Sequence, residues 1–543
     1  MGPASARYAC PGTNPSPPAP RSAGRSPCVS TGGPDEPAPD LRASANPAAG
    51  RRRSAGRRRQ PDDRKEAVTV ANEPRRLAIP PDPICRMSAC EIRAAYAAGE
   101  LSPVEVLEAV LARAERVDPY LSALYWRFDE SAWTAAAASE RRWLRGTPLS
   151  RLDGLPITVK DNMDVPGAPT YLGSRTNLFT RFPAKRDPLV GAFLDRGAVL
   201  FAKSTMVETG LFSGSFSALY GPVRNPWNLA KSTGGSTSGG AAAAAAHLGP
   251  VHLGTDGGGS LRSPAGGCGC VALKATAQSG PFGHPPGDVP RSSGMRGFIS
   301  RDVDDHIFVF DEVAGPAGAP RWESLGDLRV GYLPNASADP GVGDVHPVVR
   351  AAVEAALDRL SGTVRIEEIP EPIFEGPMWE AAVAAAFARI GRSLDGRPPE
   401  FAERLHPVVR ETVARARASA GSADQADRVV RELTERFGRR LTSTFERYDL
   451  LVLACNYYPS FDAELPWHDE CAVIEELAYG WTSGACPHVG WANGGPPSVS
   501  IPCGLDRDGV PIGLLLVGRP GLDPEVLWAA RRFEERLEFP ALF

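Results

Sequence analysis

Residues Ser232 to Gly267 read STGGSTSGGAAAAAAHLGPVHLGTDGGGSLRSPAGG. Glycines, small hydroxyls and an alanine run (Ala241 to Ala246) fill one ungapped block, and a single serine, Ser260, stands behind three glycines. Two readings compete. The block can be a flexible linker, as Gly/Ser-rich chains often are. It can instead be a backbone shaped to grip something small, because consecutive glycines turn freely and aim bare N–H groups at one point. On the second reading the N–H groups of Gly257, Gly258, Gly259 and Ser260 form an oxyanion hole beside the Ser260 hydroxyl. A nucleotide cradle has little support, since neither GxxxxGK[ST] nor GxGxxG is present. The GxSxG elbow of serine hydrolases is also absent. A Ser-His-Asp triad stays open, because its partners can come from anywhere in a chain, but no histidine is marked out by its neighbours.

Outward from this block, short apolar runs bounded by turn residues predict strands: LPITVKDN with Lys160 near its end, AVLFAKS, VHLGTD, LRVGYLP, YDLLVLACN, PSVSIPCG and PIGLLLVG. Helical patterns such as DPLVGAFLDRG lie between them. Strands alternating with helices imply an α/β core with a largely parallel or mixed sheet. Two capping boxes predict helix starts. Ser88 with Glu91 opens a helix that Gly99 stops, and Ser102 with Glu105 opens another that has Pro103 at its first position. In the second, Val106, Leu107, Val110, Leu111, Ala114 and Val117 form a stripe of helical period, and Pro119 is expected to end it. Residues 376–445 are rich in Ala, Arg and Glu and read as helical.

Composition sets the outer limits. The chain has 543 residues, 42% hydrophobic and 23% charged, as soluble globular proteins do. A net charge of −4 implies no general surface for nucleic acid. No apolar run approaches the ~20 residues of a membrane span. The 10 cysteines include no C-x-x-C and read as reduced thiols of a cytoplasmic protein, mostly buried as small apolar residues. The 8 histidines show no metal-ligand spacing. Residues 1–84 are rich in Pro, Gly, Ser and Arg, and nearly lack aromatic and branched apolar residues, so they are expected to be a disordered tail ahead of one domain spanning 85–543. The run Arg51 to Arg59 reads as a solvated part of that tail. The tail has no apolar core of a secretory signal and no myristoylation motif. Met87 stands where folded sequence is expected to begin, which leaves room for a start downstream of Met1.

Three stretches taken together change the balance. GLPITVKDN, GGSTSGGAAAAAA and GTDGGGSLRSPAGGCGCVALKAT resemble the amidase signature family, and their spacing fits it. The likeness extends over essentially all of 87–543, from ELSPVEVLEAVLARAERVDPYLSAL to PSVSIPCGLDRDGVPIGLLLVGRP. It implies a single large α/β domain with a mixed central sheet covered by helices on both faces. It implies a Ser–cis-Ser–Lys triad made of Ser260 as nucleophile, Ser236 as bridge after a cis Gly235–Ser236 peptide, and Lys160 as base, with Gly257, Gly258 and Gly259 around the oxyanion. The activity implied is hydrolysis of a carboxylic amide, with no metal or organic cofactor, on a small-molecule substrate, and with a homodimer as a possible assembly. Two alternatives remain: a glutaminase subunit of an amidotransferase complex, and a non-catalytic protein that kept the fold. Asp256 and Arg262 are expected to brace the glycine loop as an ion pair, Thr237 and Ser238 to bond loop backbone, and Cys268 and Cys270 to pack. Thr205 and Ala275 depart from the usual Asn and Pro of the family, and Thr205 puts a local hydrogen bond in doubt. The sequence also lacks the Y-G-R-V-S stretch common in the glutaminase component of the amidotransferase. Trp379, Trp467, Trp481 and Trp491 are candidates to line an apolar substrate pocket.

Overall fold

Every apolar run named above becomes a strand. In this computed structural model the strands are β1 (Leu124–Arg127), β2 (Pro156–Lys160), β3 (Val199–Ser204), β4 (Arg224–Asn225), β5 (Asn228–Ser232), β6 (Val251–Asp256), β7 (Val271–Lys274), β8 (Met295–Ser300), β9 (Arg329–Tyr332), β10 (Arg365–Glu368), β11 (Leu450–Ala454), β12 (Ser498–Leu505) and β13 (Pro511–Val517). β4 and β5 form a separate hairpin; the others build an 11-stranded sheet in the order β1-β3-β2-β6-β8-β7-β12-β13-β11-β9-β10. The sheet is mixed. β3, β2 and β6 run parallel, as do β11, β9 and β10, while the strands between them pair antiparallel. The described residues are 76–176, 180–276, 280–283, 294–315, 321–338, 344–374, 390–418, 423–464 and 495–543.

Both faces of the sheet are covered, and strand alternation decides what goes where. On β13, Ile512, Leu514 and Leu516 pack with Val526, Leu527, Ala530 and Phe533 of the Asp523–Leu537 helix. Leu515 and Val517 turn the other way, toward Leu433, Phe437, Leu441 and Phe445 of the Ala423–Arg447 helix. Near the quoted block the same rule sends Ala272 and Ile299 toward Ala241, Ala244, Leu261 and Ala265.

The alanine run forms the Ser238–Ala245 helix, buried along its whole length. It lies between two layers: Ala242, Ala243 and Ala246 meet Val117 and Leu121, and Ala241, Ala244 and Ala245 meet Leu261 and Ala265. Only small side chains allow that approach. A Cβ on Gly239 would stand 2.3 Å from the Ala123 carbonyl oxygen, and one on Gly235 would stand 2.1 Å from that of Gly214. The block is therefore packed backbone, not linker.

Both predicted capping boxes are present, with Ser88 and Ser102 side chains accepting from the N–H groups of Glu91 and Glu105. Two expectations need correction. Pro119 does not end its helix; it sits in the last turn, and Ser122, in left-handed backbone with φ 58°, ends it. Proline there forfeits only one backbone bond, so the turn survives. Residues 76–84, assigned above to the tail, belong to the folded body: Leu77 is buried, donates its N–H to the Pro226 carbonyl at 2.9 Å and packs with Val117 and Val223. A lone leucine among Arg and Pro has no periodicity to betray it. Residues 1–75 lie outside the described residues.

Candidate active site

Lys160 is the last residue of β2, a strand buried from end to end, and has no exposed surface. Its Nζ lies 2.8 Å from Ser236 Oγ, 3.2 Å from Thr255 Oγ1 and 3.4 Å from the Thr255 carbonyl oxygen. Burial pushes its ammonium pKa down to about 7, against the opposing pull of the Asp256 and Asp161 carboxylates. An amine with that value is neutral in a large fraction of molecules near neutral pH and can accept a proton.

Ser236 reaches Lys160 because the loop after β5 runs along the ends of β2 and β6. The Gly235–Ser236 peptide is cis, the geometry that the family resemblance implies. Thr237 Oγ1 donates to the Thr255 carbonyl at 3.4 Å and Ser238 Oγ to that of Gly214 at 3.5 Å, so Ser238 holds loop backbone as expected, whereas the acceptor of Thr237 lies on β6.

Ser260 is half-buried, just before the Arg262–Gly267 helix. Its carbonyl accepts the Thr237 N–H at 3.0 Å, which ties the two serine loops together. The structure brings Lys160 and Ser236 into contact, whereas the Ser260 hydroxyl makes no hydrogen bond among the described residues. The turn around Ser260 is held by Asp256. Its Oδ1 accepts the Gly259 N–H at 2.7 Å and Arg262 Nη2 at 2.8 Å, and its Oδ2 accepts Arg262 Nε at 2.8 Å and the Leu261 N–H at 3.2 Å. Arg262 Nη1 donates to Ser498 Oγ at 2.8 Å. Both charged side chains are wholly buried, so the expected ion pair is a bidentate, fully shielded one. One consequence corrects the donor set. The Gly259 N–H is committed to Asp256, which leaves Gly257, Gly258 and Ser260, whose N–H groups have no partner among the described residues.

Several residues of this region escaped the sequence reading. Thr255 touches Lys160 and also accepts from Asn162 Nδ2 at 2.8 Å; its only signal was its place before Asp256. Asp161, next to the lysine, accepts the N–H groups of Tyr171 and Gly173 and the hydroxyls of Tyr125 and Tyr220, which fixes the end of β2. A second buried lysine, Lys203, donates to the Asp161 carbonyl at 2.9 Å from the neighbouring β3. Thr205 does make local bonds in place of the usual Asn: its Oγ1 donates to the Ser122 carbonyl at 2.8 Å and lies 3.1 Å from that of Ala123. Cys268 and Cys270 are buried, and burial pushes both thiols up, Cys270 to about 12. Among the described residues no three His, Cys, Asp or Glu side chains are grouped to hold a metal ion, and no helix is long and apolar enough to cross a membrane. Trp379, Trp467, Trp481 and Trp491 lie outside the described residues.

The chain is similar to proteins already known. The family model described as Amidase matches residues 105–527. An acylamidase of Rhodococcus erythropolis is 32% identical over 493 residues, covering 82% of this chain and 95% of that one. A glutamyl-tRNA(Gln) amidotransferase subunit of Symbiobacterium thermophilum is 30% identical, covering 84% of this chain and 99% of that one. Among solved structures, a bacterial aryl acylamidase of the amidase signature family shares the fold with a TM-score of 0.72 at 23% identity, over 84% of this chain and 97% of that one.

Proposed function

The chain belongs to the amidase signature family, and from that premise we propose that it is an amidase that cleaves a carboxylic amide to the acid and ammonia or an amine through an acyl-enzyme on Ser260. The observation that carries the reading is the 2.8 Å contact between Ser236 Oγ and a buried Lys160 whose pKa lies at about 7. A serine hydroxyl needs a base to become a nucleophile, and a desolvated lysine is one. In the proposed reaction Ser260 turns its hydroxyl toward Ser236, a contact that free enzymes often complete only with substrate bound. Neutral Lys160 takes the Ser236 proton as Ser236 takes that of Ser260. Ser260 Oγ bonds to the amide carbon, and the carbonyl electron pair moves to the oxygen, held by the N–H groups of Gly257, Gly258 and Ser260. When the pair returns, the C–N bond breaks, and the proton on Lys160 passes back through Ser236 to the leaving nitrogen. Water then releases the acid by the same relay. The chemistry calls for no metal or organic cofactor.

The substrate on this reading is a small-molecule amide, the location is the cytoplasm and the assembly is a homodimer. Five of the six described cysteines are buried, as small apolar residues of a reduced protein would be. The similarity to an amidotransferase component supports a second reading, a glutaminase that hands ammonia to a partner protein. Hydrolysis of a panel of aliphatic, aromatic and amino-acid amides by the purified chain, with Lys160→Ala as control, tests the first. Activity on glutamine alone, and only with a co-purified partner protein, would favour the second.

A further inference from the structure

Three oxygens of the described residues stand against the Lys160 amine. Ser236 Oγ lies 2.8 Å from Nζ, Thr255 Oγ1 3.2 Å and the Thr255 carbonyl oxygen 3.4 Å. A neutral amine carries two N–H groups and one lone pair. The two Thr255 oxygens can take both N–H groups, and the lone pair then faces Ser236, where a base must present it. That arrangement holds only while the Thr255 hydroxyl accepts. A hydroxyl is also a donor. One that turned its hydrogen to Nζ would occupy the lone pair that Ser236 needs.

Asn162 stands where it can settle that choice. It lies two residues beyond Lys160, in the turn that the Met163 N–H closes on the Lys160 carbonyl at 3.0 Å. Its own carbonyl accepts Arg181 Nη2 at 2.9 Å. Arg181 is held in turn by Asp164 Oδ1 at 2.8 Å and by backbone bonds to and from Thr170. From this pinned backbone, Asn162 Nδ2 donates to Thr255 Oγ1 at 2.8 Å. Oγ1 thus receives one N–H from Asn162 and one from Lys160, which fills both of its lone pairs. Its hydrogen is thereby turned away from both nitrogens.

Resting on the amidase reading, we propose that Asn162 is a positioning residue: it holds the Thr255 hydroxyl as an acceptor and so keeps the lone pair of Lys160 for Ser236. Without the amide, the hydroxyl is free to rotate and donate to the neutral amine. Two effects follow, and they oppose each other in rate. A donor to the neutral form lowers the lysine pKa further, so more of the enzyme is unprotonated at a given pH. The same bond ties up the lone pair, so that unprotonated form is a poorer base. The carboxylates that act on the lysine, Asp256 and Asp161, are present with or without the amide.

The test is the rate of fluorophosphonate labelling at Ser260, measured from pH 6 to pH 9. In Asn162→Leu, similar in size but without a donor, the plateau rate is expected to fall about tenfold or more while the inflection moves to lower pH. A purely structural loss would slow labelling without that shift. Adding Thr255→Val removes the hydroxyl that blocks the amine. Members of one hydrogen-bond network are not additive, and the double variant is expected to label about threefold or more faster than Asn162→Leu. Asn162→Ala is expected to show the same pattern and carries the test if the leucine variant does not fold. An unchanged plateau in the Asn162 variant, an inflection that stays or rises, or a double variant no faster than the single one overturns the proposal. The wild type separates the two levels. Labelling of its Ser260 without rescue in the double variant defeats the role of Asn162 alone, whereas no labelling and no turnover of any amide defeat the amidase reading beneath it.

Discussion

Lys160 Nζ and Ser236 Oγ stand 2.8 Å apart at a site where the lysine has no contact with solvent. The contact joins the end of a central strand to a loop distant in sequence, and it converts the lysine's burial from a cost into a use. A lysine this deep is easiest to hold without its charge, and the uncharged form is the base the proposed chemistry needs. The nearby Asp256 and Asp161 carboxylates keep that pKa from falling further.

The first prediction concerns pH. Burial lowers the Lys160 pKa to about 7, and in the proposed mechanism only the unprotonated form accepts the proton. Amidase kcat/KM should therefore rise with pH through an inflection near that value and level off above it. Lys160→Arg keeps the charge at every accessible pH and should lose about 10²–10⁴-fold in kcat/KM across the profile. A flat profile from pH 6 to pH 9 would contradict this.

Thr255 should tune that inflection. Its Oγ1 accepts from Lys160 Nζ at 3.2 Å, a bond that favours the ammonium. Thr255→Val removes the acceptor, so the inflection in kcat/KM should move to lower pH while the plateau rate changes less. A shift toward higher pH would show that Thr255 acts otherwise.

The Asp256–Arg262 pair should be a structural keystone of the nucleophile turn. Both side chains are wholly buried, and Asp256 also accepts the Gly259 and Leu261 N–H groups. Asp256→Asn leaves the Arg262 guanidinium without its counter-charge and should cost about 3–5 kcal/mol in urea unfolding. Loss of activity with unchanged stability would instead give Asp256 a direct part in the chemistry.

Close approach of backbones should make Gly239 irreplaceable. A Cβ there would lie 2.3 Å from the Ala123 carbonyl oxygen and 2.6 Å from the Thr205 nitrogen. Gly239→Ala should destabilise by about 1–3 kcal/mol or more, read from the denaturant midpoint, although alanine is the better helix former. A neutral or stabilising result would mean that the helix can move away from β3.

What the sequence disclosed follows from how local each signal is. Lys160 could be placed at a strand end because GLPITVKDN carries its own turn residues, and the alanine helix because only small side chains fill it. Strand β7 was missed because VALK has only four residues, and β8 because Arg296 and Gly297 interrupt the apolar run of MRGFIS. The role of Gly259 was misread for a different reason: a glycine run shows that N–H groups are available, not which of them a nearby carboxylate takes. The Asp161 hub was invisible because Tyr125, Tyr171 and Tyr220 converge on it from distant parts of the chain. Leu77 shows the same limit at the edge of the domain, where one apolar residue in a polar segment proves to be core.

The central claim is that Ser260 is the nucleophile and that Lys160 activates it through Ser236. The most direct measurement is the rate and site of labelling by a fluorophosphonate, read by intact mass and peptide mapping. The account predicts one adduct, on Ser260, absent in Ser260→Ala and formed at least 100-fold more slowly in Lys160→Ala, a loss of about the size that removing a general base produces. An adduct on another residue, or Lys160→Ala labelled at the wild-type rate, would contradict it.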